Sequence, residues 1–356
     1  MARPFISVVI DTYNHERFIE EAISSVVAQD FPKSEREVLV VDDGSNDGTP
    51  EVVRKFAPDV RILRKPNGGQ ASAFNAGIPE CRGEIVAFLD GDDWWAEKKL
   101  SAVAEAFAAR PEVGLVGHSI TEVYLDGRRR SELVREEPEF RANTVRGAKT
   151  FRLRKSFLGT SRMAFRGELL RRIGAVPEAL VIEADEFLFT LGAVYSEVLL
   201  LREPLTYYRQ HGKNLYQLSE ANEPALRKKL GVLLALQEAL NERLERDGVE
   251  RGIIRTILEA LEIEAMQVRL ALGEGTRLEA VRVELRDYQL HHENASALRK
   301  LLKFASVLPG LVLTPAQFAE LKKRLTGNAA YQWTRRKVLP MKRPEHVDRV
   351  GDWNPR

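Results

Sequence analysis

Three strand-length apolar runs near the start of the chain each end in a cluster of acids, and this constrains the fold more than any other feature. Residues 5–10 lead into Asp11-Thr12-Tyr13-Asn14, residues 38–41 into Asp42-Asp43-Gly44-Ser45, and residues 84–89 into Asp90-Gly91-Asp92-Asp93. Between them lie stretches at helical spacing. Residues 16–28 carry Phe18, Ile19, Ala22, Ile23, Val26 and Val27 on one face, and residues 71–78 read as a helix entered through Asn67-Gly68-Gly69. A short strand fits 60–63. Apolar strands alternating with amphipathic helices predict an α/β fold, Rossmann-like, with a mostly parallel sheet flanked by helices. Ligands in such sheets bind beyond the carboxyl ends of the strands, so three loops distant in the chain are expected to converge on one rim.

Further along, 113–117 and 163–165 are strand candidates, 168–173 reads as a helix, and 184–195 is apolar with acids at its front. Beyond Asn222 the chain turns to Leu/Glu/Arg-rich stretches at 3.6 spacing, 226–244 and 253–272, which predict a separate helical region. The expected organisation is an α/β domain over 1–220, a C-terminal helical region over 221–330 and a basic tail over 331–356.

The bulk chemistry excludes several classes. A formal charge of +2 on 356 residues gives no support for wrapping nucleic acid. The single cysteine, Cys81, rules out an intramolecular disulfide framework and fits a reducing compartment. No window approaches the roughly 20 apolar residues of a membrane span, and 5–10 is too short for a secretory leader. These features predict a cytoplasmic protein.

Asp90-Gly91-Asp92-Asp93 carries the strongest chemical signal. Two carboxylates at i and i+2 on a Gly turn suit Mg²⁺ or Mn²⁺, which takes hard oxygen ligands from one or two carboxylates and completes its shell with substrate phosphates. The bland alternative is a solvated acidic turn with Asp93 capping a helix from Trp94. Asp43 is suited to accept the ring N–H of a nucleobase, or else belongs to ordinary turn chemistry. Asn67-Gly68-Gly69-Gln70 before a helix offers backbone N–H groups to phosphate. Trp94 and Trp95 present aromatic faces suited to a sugar or to core packing. Neither a dinucleotide fingerprint nor a P-loop is present.

Taken together, residues 7–14, 40–49, 67–77 and 88–93 resemble family 2 glycosyltransferases of the GT-A fold, with the likeness extending over about residues 5–215. The resemblance implies inverting transfer of a sugar from a nucleotide-diphosphate donor, a UDP-sugar in the first instance, to an acceptor hydroxyl on a glycan, a lipid-linked carrier or another glycoconjugate. By position it implies that Thr12, Tyr13 and Asp43 surround the base, that Gln70 and Asp90 lie at the nucleotide, the latter facing the ribose or metal shell, and that Asp92 ligates the metal. Asp11 departs from the pattern, which often has a small residue or proline there. Ala184-Asp185-Glu186 matches the family's base motif, with Ala for the usual Glu. Asp185 is then the general base and Glu186 its replacement if the register slips by one. Tyr207-Tyr208-Arg209-Gln210-His211-Gly212-Lys213-Asn214 resembles the late Tyr-Arg-x-His-x-x-Asn segment, so His211 would reach back to the metal or diphosphate. Gly159-Thr160-Ser161 resembles a loop near the acceptor entrance.

At the C-terminal end, 301–313 is apolar with Lys300 and Lys303 at its edge, and Arg335-Arg336-Lys337 and Lys342-Arg343 follow Tyr331 and Trp333. Basic residues interleaved with aromatics suit peripheral contact with an anionic bilayer, and a solvated tail behind a packed helix suits the same residues. Competing functional readings are a nucleotide-sugar-binding or interaction domain without turnover and a sugar nucleotidyltransferase. The second needs a Gly-rich basic loop after the first strand, where Asp11-Thr12-Tyr13-Asn14 stands.

Overall fold

The computed structural model describes residues 3–134, 139–154, 157–211, 222–292, 296–327 and 347–350. The strands are β1 (Ile6–Thr12), β2 (Arg36–Asp42), β3 (Arg61–Arg64), β4 (Ile85–Asp90), β5 (Trp94–Trp95), β6 (Val113–Tyr124), β7 (Arg129–Val134), β8 (Glu139–Phe140), β9 (Ala164–Arg166), β10 (Glu197–Gln210) and β11 (Val347–Val350). The helices are α1 (Ile19–Val27), α2 (Thr49–Arg54), α3 (Gln70–Gly77), α4 (Lys99–Ala109), α5 (Val145–Arg152), α6 (Gly167–Ile173), α7 (Ala184–Tyr195), α8 (Glu223–Arg246), α9 (Arg251–Ala271), α10 (Arg277–His291), α11 (Ala297–Val307) and α12 (Pro315–Gly327).

The sheet runs β11-β7-β6-β9-β4-β1-β2-β3. Its β4-β1-β2-β3 part is wholly parallel, as the apolar runs predict. Beyond β4 it becomes mixed, since β9 is antiparallel to both β4 and β6 while β10 runs parallel to β6. Alternation along β1 divides the core. Val9 faces one cluster with α3, α7, α8 and α9, whereas Ile6, Val8 and Ile10 face another with α1 and α4. Helices α8 and α9 therefore share the core of the sheet, and a smaller third core lies among α9, α10, α11 and α12. Among the described residues no helix is long and apolar enough to cross a membrane.

Two local expectations are corrected. Trp94 does not begin a helix: with Trp95 it forms β5, paired antiparallel to Thr206 and Tyr207, and the helix starts at Lys99. The strand expected over 113–117 runs on to Tyr124, because β7 and β10 pair with its polar second half. Of the tail, 331–346 and 351–356 lie outside the described residues, and β11 pairs with β7 at the sheet edge.

Candidate functional site

After β1 the chain lays β2 and β3 on one side and then returns to place β4 on the other, so the order reverses between β1 and β4. A crevice opens at such a switch point. Asp11 and Asp90 are register partners there. The Gly91 N–H donates to the Asp11 carbonyl at 2.9 Å. A Cβ on Gly91 would come within 2.6 Å of Thr12 Oγ1 and 2.9 Å of His15 Nδ1, so only glycine lets the turn lie on the β1 loop. Thr12 Oγ1 and His15 Nδ1 are themselves 3.2 Å apart.

On that turn Asp92 Oδ2 lies 2.9 Å from His211 Nε2. The His211 ring stacks on Phe18 of the α1 approach, centroids 4.9 Å apart. Arg209 braces the turn from below: its N–H donates to Asp93 Oδ1 (2.9 Å), its Nε donates to the Asp92 carbonyl (2.8 Å), and its guanidinium also pairs with Glu21. That guanidinium sits 4.4 Å from the Trp94 ring centre and 4.9 Å from Phe18. Trp94 in turn stacks on Tyr207 at 5.2 Å.

A buried layer supports the turn. Lys99 is fully buried, donates from Nζ to the Ser161 carbonyl at 2.6 Å and stands 3.8 Å over the Trp95 ring. Burial pushes its pKa well down, against the pull of Asp93 and Asp90. Ser161 links this layer to the site, accepting from the Asp90 N–H (3.0 Å) and donating to Asp90 Oδ2 (3.2 Å).

The adjoining Thr160 reaches the expected base, its N–H donating to Asp185 Oδ2 at 3.2 Å. Asp185 lies inside the first turn of α7, so it is not the helix cap. Glu183 takes that position in the left-handed conformation at φ 65°, a strained geometry for a non-glycine residue. On this turn Asp185 keeps some exposure while Glu186 is buried. Gln70 holds the two segments together, donating to Thr160 Oγ1 (2.9 Å) and accepting from the Ala184 N–H (3.0 Å). Its amide thus ties the Asp185 helix to the Ser161 loop.

Asp43, 4% exposed, accepts from Lys65 (2.7 Å), the Asn67 amide (3.1 Å) and the N–H groups of Gly68 (3.0 Å) and Gly69 (2.7 Å). This corrects the expectation of a phosphate cradle at Asn67-Gly68-Gly69-Gln70. The next two N–H groups, of Gln70 and Ala71, donate to the Val181 and Leu180 carbonyls. Tyr13 is 41% exposed beside Thr12, an open aromatic face at the end of β1.

The carboxyls cannot all ionise together. Burial, then the charges of Asp92, Asp185 and Asp43, push Asp11 up to about 8. Asp11 Oδ1 has no hydrogen-bond partner among the described residues. Burial and then Asp11, Asp93 and Asp92 push Asp90 well above the usual range, and burial followed by Asp92 does the same to Asp93. Asp92 goes the other way. Burial opposes its ionisation, yet the His211 hydrogen bond and the charges of His15 and His211 outweigh it and hold its carboxyl below the ordinary value. Tyr208, pushed up by burial and by Asp93, Asp92, Asp90 and Asp185, borders the same cluster.

Among the described residues no three His, Cys, Asp or Glu side chains are grouped to hold an ion unaided. A hard carboxylate oxygen and an imidazole nitrogen converge at Asp92 and His211, within a negative cluster whose crowding a cation would relieve. That donor set fits Mg²⁺ or Mn²⁺ with its remaining positions taken by ligand oxygens.

Lys99 carried no signal in the sequence and acts through contacts made by folding alone. Arg209 stood out only as part of the late Tyr-Arg-x-His-x-x-Asn segment, Ser161 only as part of the Gly159-Thr160-Ser161 loop, and Asp11 as a departure from a pattern. Lys213 and Asn214 of the late motif lie outside the described residues.

Residues 7–174 match the family model for glycosyl transferase family 2. An uncharacterized glycosyltransferase of Nostoc sp. is 32% identical over 252 residues, covering 68% of this chain and 76% of that protein. Among solved structures, residues 1–349 of Staphylococcus aureus TarS in complex with UDP-GlcNAc superpose with a TM-score of 0.51 at 21% identity, covering 85% of this chain and 90% of that one. The mannosyltransferase PcManGT from Pyrobaculum calidifontis, in complex with GDP-Man and Mn²⁺, gives 0.52 at 22% identity, covering 96% and 89%. These likenesses show the GT-A fold with its C-terminal helical region.

Proposed function

The chain belongs to glycosyl transferase family 2 and is a transferase, and from that premise we propose that it moves a sugar, with inversion, from a UDP-sugar to a hydroxyl of a glycan, a lipid-linked carrier or a related glycoconjugate. The observation that carries the reading is that three distant loops meet at the end of β1: the Asp43 N–H donates to the Thr12 carbonyl at 2.9 Å, the Gly91 N–H of the Asp92 turn donates to the Asp11 carbonyl at 2.9 Å, and the Asp185 carboxylate accepts from Thr160, whose neighbour Ser161 donates to Asp90. Loops that meet this closely can address one nucleotide diphosphate and one acceptor together.

In this account the donor domain spans 1–220, and the base of the nucleotide lies by Thr12, Tyr13 and Asp43. Asp43 acts chiefly by fixing the 65–69 loop, to which its carboxylate is bonded. Tyr13 offers its exposed ring for stacking. Asp90 faces the ribose, oriented by Ser161, and Gln70 fixes the geometry between donor and base. Asp92 and His211 would hold Mg²⁺ or Mn²⁺ at the diphosphate. A bound divalent ion supplies charge neutralisation for the departing nucleoside diphosphate. PcManGT is in complex with GDP-Man and Mn²⁺ and TarS with UDP-GlcNAc, which supports a nucleotide-sugar donor and a divalent ion here.

Inversion requires the acceptor oxygen to attack the anomeric carbon opposite the leaving group while it loses its proton, through an oxocarbenium-like state. Asp185 is the group for that proton. It keeps some exposure, accepts from the Thr160 N–H and stands close enough to Asp11 and Asp90 to raise their pKa values. The test is release of UDP and formation of product from a panel of UDP-sugars and acceptors, with the anomeric configuration read by NMR. A β-linked product from an α-configured donor supports the reading, and a retained configuration removes Asp185 as the base of an inverting step.

A further inference from the structure

Of the large apolar side chains more than a third exposed, six fall within 298–312: Leu298 (64%), Leu301 (64%), Phe304 (51%), Leu308 (44%), Leu311 (47%) and Val312 (74%). Those on α11 share a side. On α11, Val307 is buried and Lys303 reaches inward to the buried Glu284 of α10 at 3.1 Å, while Lys322 of α12 binds the same carboxylate from another direction. These contacts fix which face of α11 meets the body. At about 100° per residue, Leu298, Leu301 and Phe304 then project away from that face, and Leu308 is exposed at the start of the turn that follows.

The neighbourhood is basic. Residues 296–327 contain Arg299, Lys300, Lys303, Lys322, Lys323 and Arg324 against Glu320 alone, a net of +5 where the whole chain is +2. Counting Glu284 still leaves +4. Lys300 is exposed beside the apolar face. An outward apolar stripe on a helix with basic residues at its margin has the two features that seat a helix in the plane of an anionic bilayer: acyl-depth apolar contact and attraction to anionic headgroups. Isolated exposed leucines are ordinary on soluble proteins, but a contiguous stripe of this kind is not.

We propose that α11 and the turn after it form a peripheral contact with an anionic lipid surface, Leu298, Leu301, Phe304 and Leu308 entering the headgroup boundary and Lys300 lying at the phosphates. This contact is independent of the transfer reaction, so its test needs no donor or acceptor.

The full chain is sedimented with vesicles of phosphatidylcholine alone and with vesicles containing phosphatidylglycerol. The protein is expected to pellet with the anionic vesicles, to be released by high salt and to stay in solution with the neutral ones. The double variant Leu301→Glu, Phe304→Glu is expected to lose roughly tenfold or more of its partitioning. Lys300→Glu, which removes no apolar surface, is expected to lose about fivefold or more. Unchanged melting temperatures show that both variants fold. Equal pelleting with both vesicle types, or anionic pelleting that the double variant and Lys300→Glu both retain, overturns the proposal. So does a wild-type dimer that ignores vesicles and that the double variant splits, since the face would then belong to a second copy of the chain.

Discussion

The Asp92 carboxylate and the His211 imidazole face each other at 2.9 Å although 119 positions separate them in the chain. The relationship is built from three sides. Phe18 stacks on the imidazole, Arg209 grips the Asp92 carbonyl and the Asp93 carboxylate, and Lys99 and Ser161 fill the layer beneath. A turn held this way keeps its outward carboxylate ionised at neutral pH while the neighbouring acids are pushed toward the protonated form.

Asp92→Ala removes the one carboxyl of the turn whose pKa is lowered. Turnover is expected to fall to background, and titration calorimetry with UDP is expected to show the loss of Mn²⁺-dependent binding. His211→Ala should weaken the same binding less, because a carboxylate ligand remains. Asp92→Ala with full metal-dependent binding would remove Asp92 as a ligand.

Asp185→Asn keeps the shape of the α7 turn and removes the proton acceptor. Turnover is expected to drop by about 10² to 10⁴ with nucleotide affinity preserved. Glu186→Gln, on a buried side chain one position on, is the comparison. A larger loss of turnover in Glu186→Gln than in Asp185→Asn would transfer the role to Glu186.

Arg209→Met leaves an apolar side chain between Phe18 and Trp94 but drops the bond to the Asp92 carbonyl and the pairing with Glu21. Supporting contacts around metal ligands typically contribute 10- to 100-fold to affinity, so the apparent Kd for Mn²⁺ in the presence of UDP is expected to rise about tenfold. Arg209→Lys should recover part of it. An unchanged metal affinity in Arg209→Met would confine Arg209 to a structural role.

Asp11 sets a pH dependence on the metal-free protein. Its carboxyl, near 3.8 in an ordinary setting, is pushed up to about 8, so above pH ~4 the folded chain holds a proton that the unfolded chain has released. The stability this group contributes is fully present below about pH 4 and is lost as pH rises toward about 8. Asp11→Asn cannot ionise. Its melting temperature in chelator is therefore expected to gain on the wild type as pH rises from 5 to 8, and a difference independent of pH would contradict the assignment.

The strands that build the rim were legible because β1, β2 and β4 are buried on both faces and end abruptly in acids, which leaves an almost unbroken apolar run followed by a polar cluster. Trp94-Trp95 was not legible, since an acid before two aromatics reads locally as a capped helix and only pairing with Thr206 and Tyr207 makes it a strand. The same holds within the site. Asp92 stood out by type and spacing, and Asp185, Arg209 and His211 through the family resemblance, whereas Lys99 meets Ser161 across 62 positions with nothing local to mark the contact. Asn67-Gly68-Gly69 resembled an anion cradle because free N–H groups before a helix look alike in sequence whether a phosphate or, as here, the Asp43 carboxylate fills them.

The most direct test of a metal-assisted nucleotide-sugar site is the melting temperature of the wild type and of Asp92→Ala with UDP-, dTDP- and GDP-sugars, each with Mn²⁺ and with chelator. A ligand at a hundred times its Kd adds roughly 2.7 kcal/mol of stability. The prediction is a clear rise for the wild type with a UDP-sugar and Mn²⁺ together, absent in chelator and absent in Asp92→Ala. No rise with any sugar nucleotide, or an equal rise in chelator and in Asp92→Ala, would contradict it.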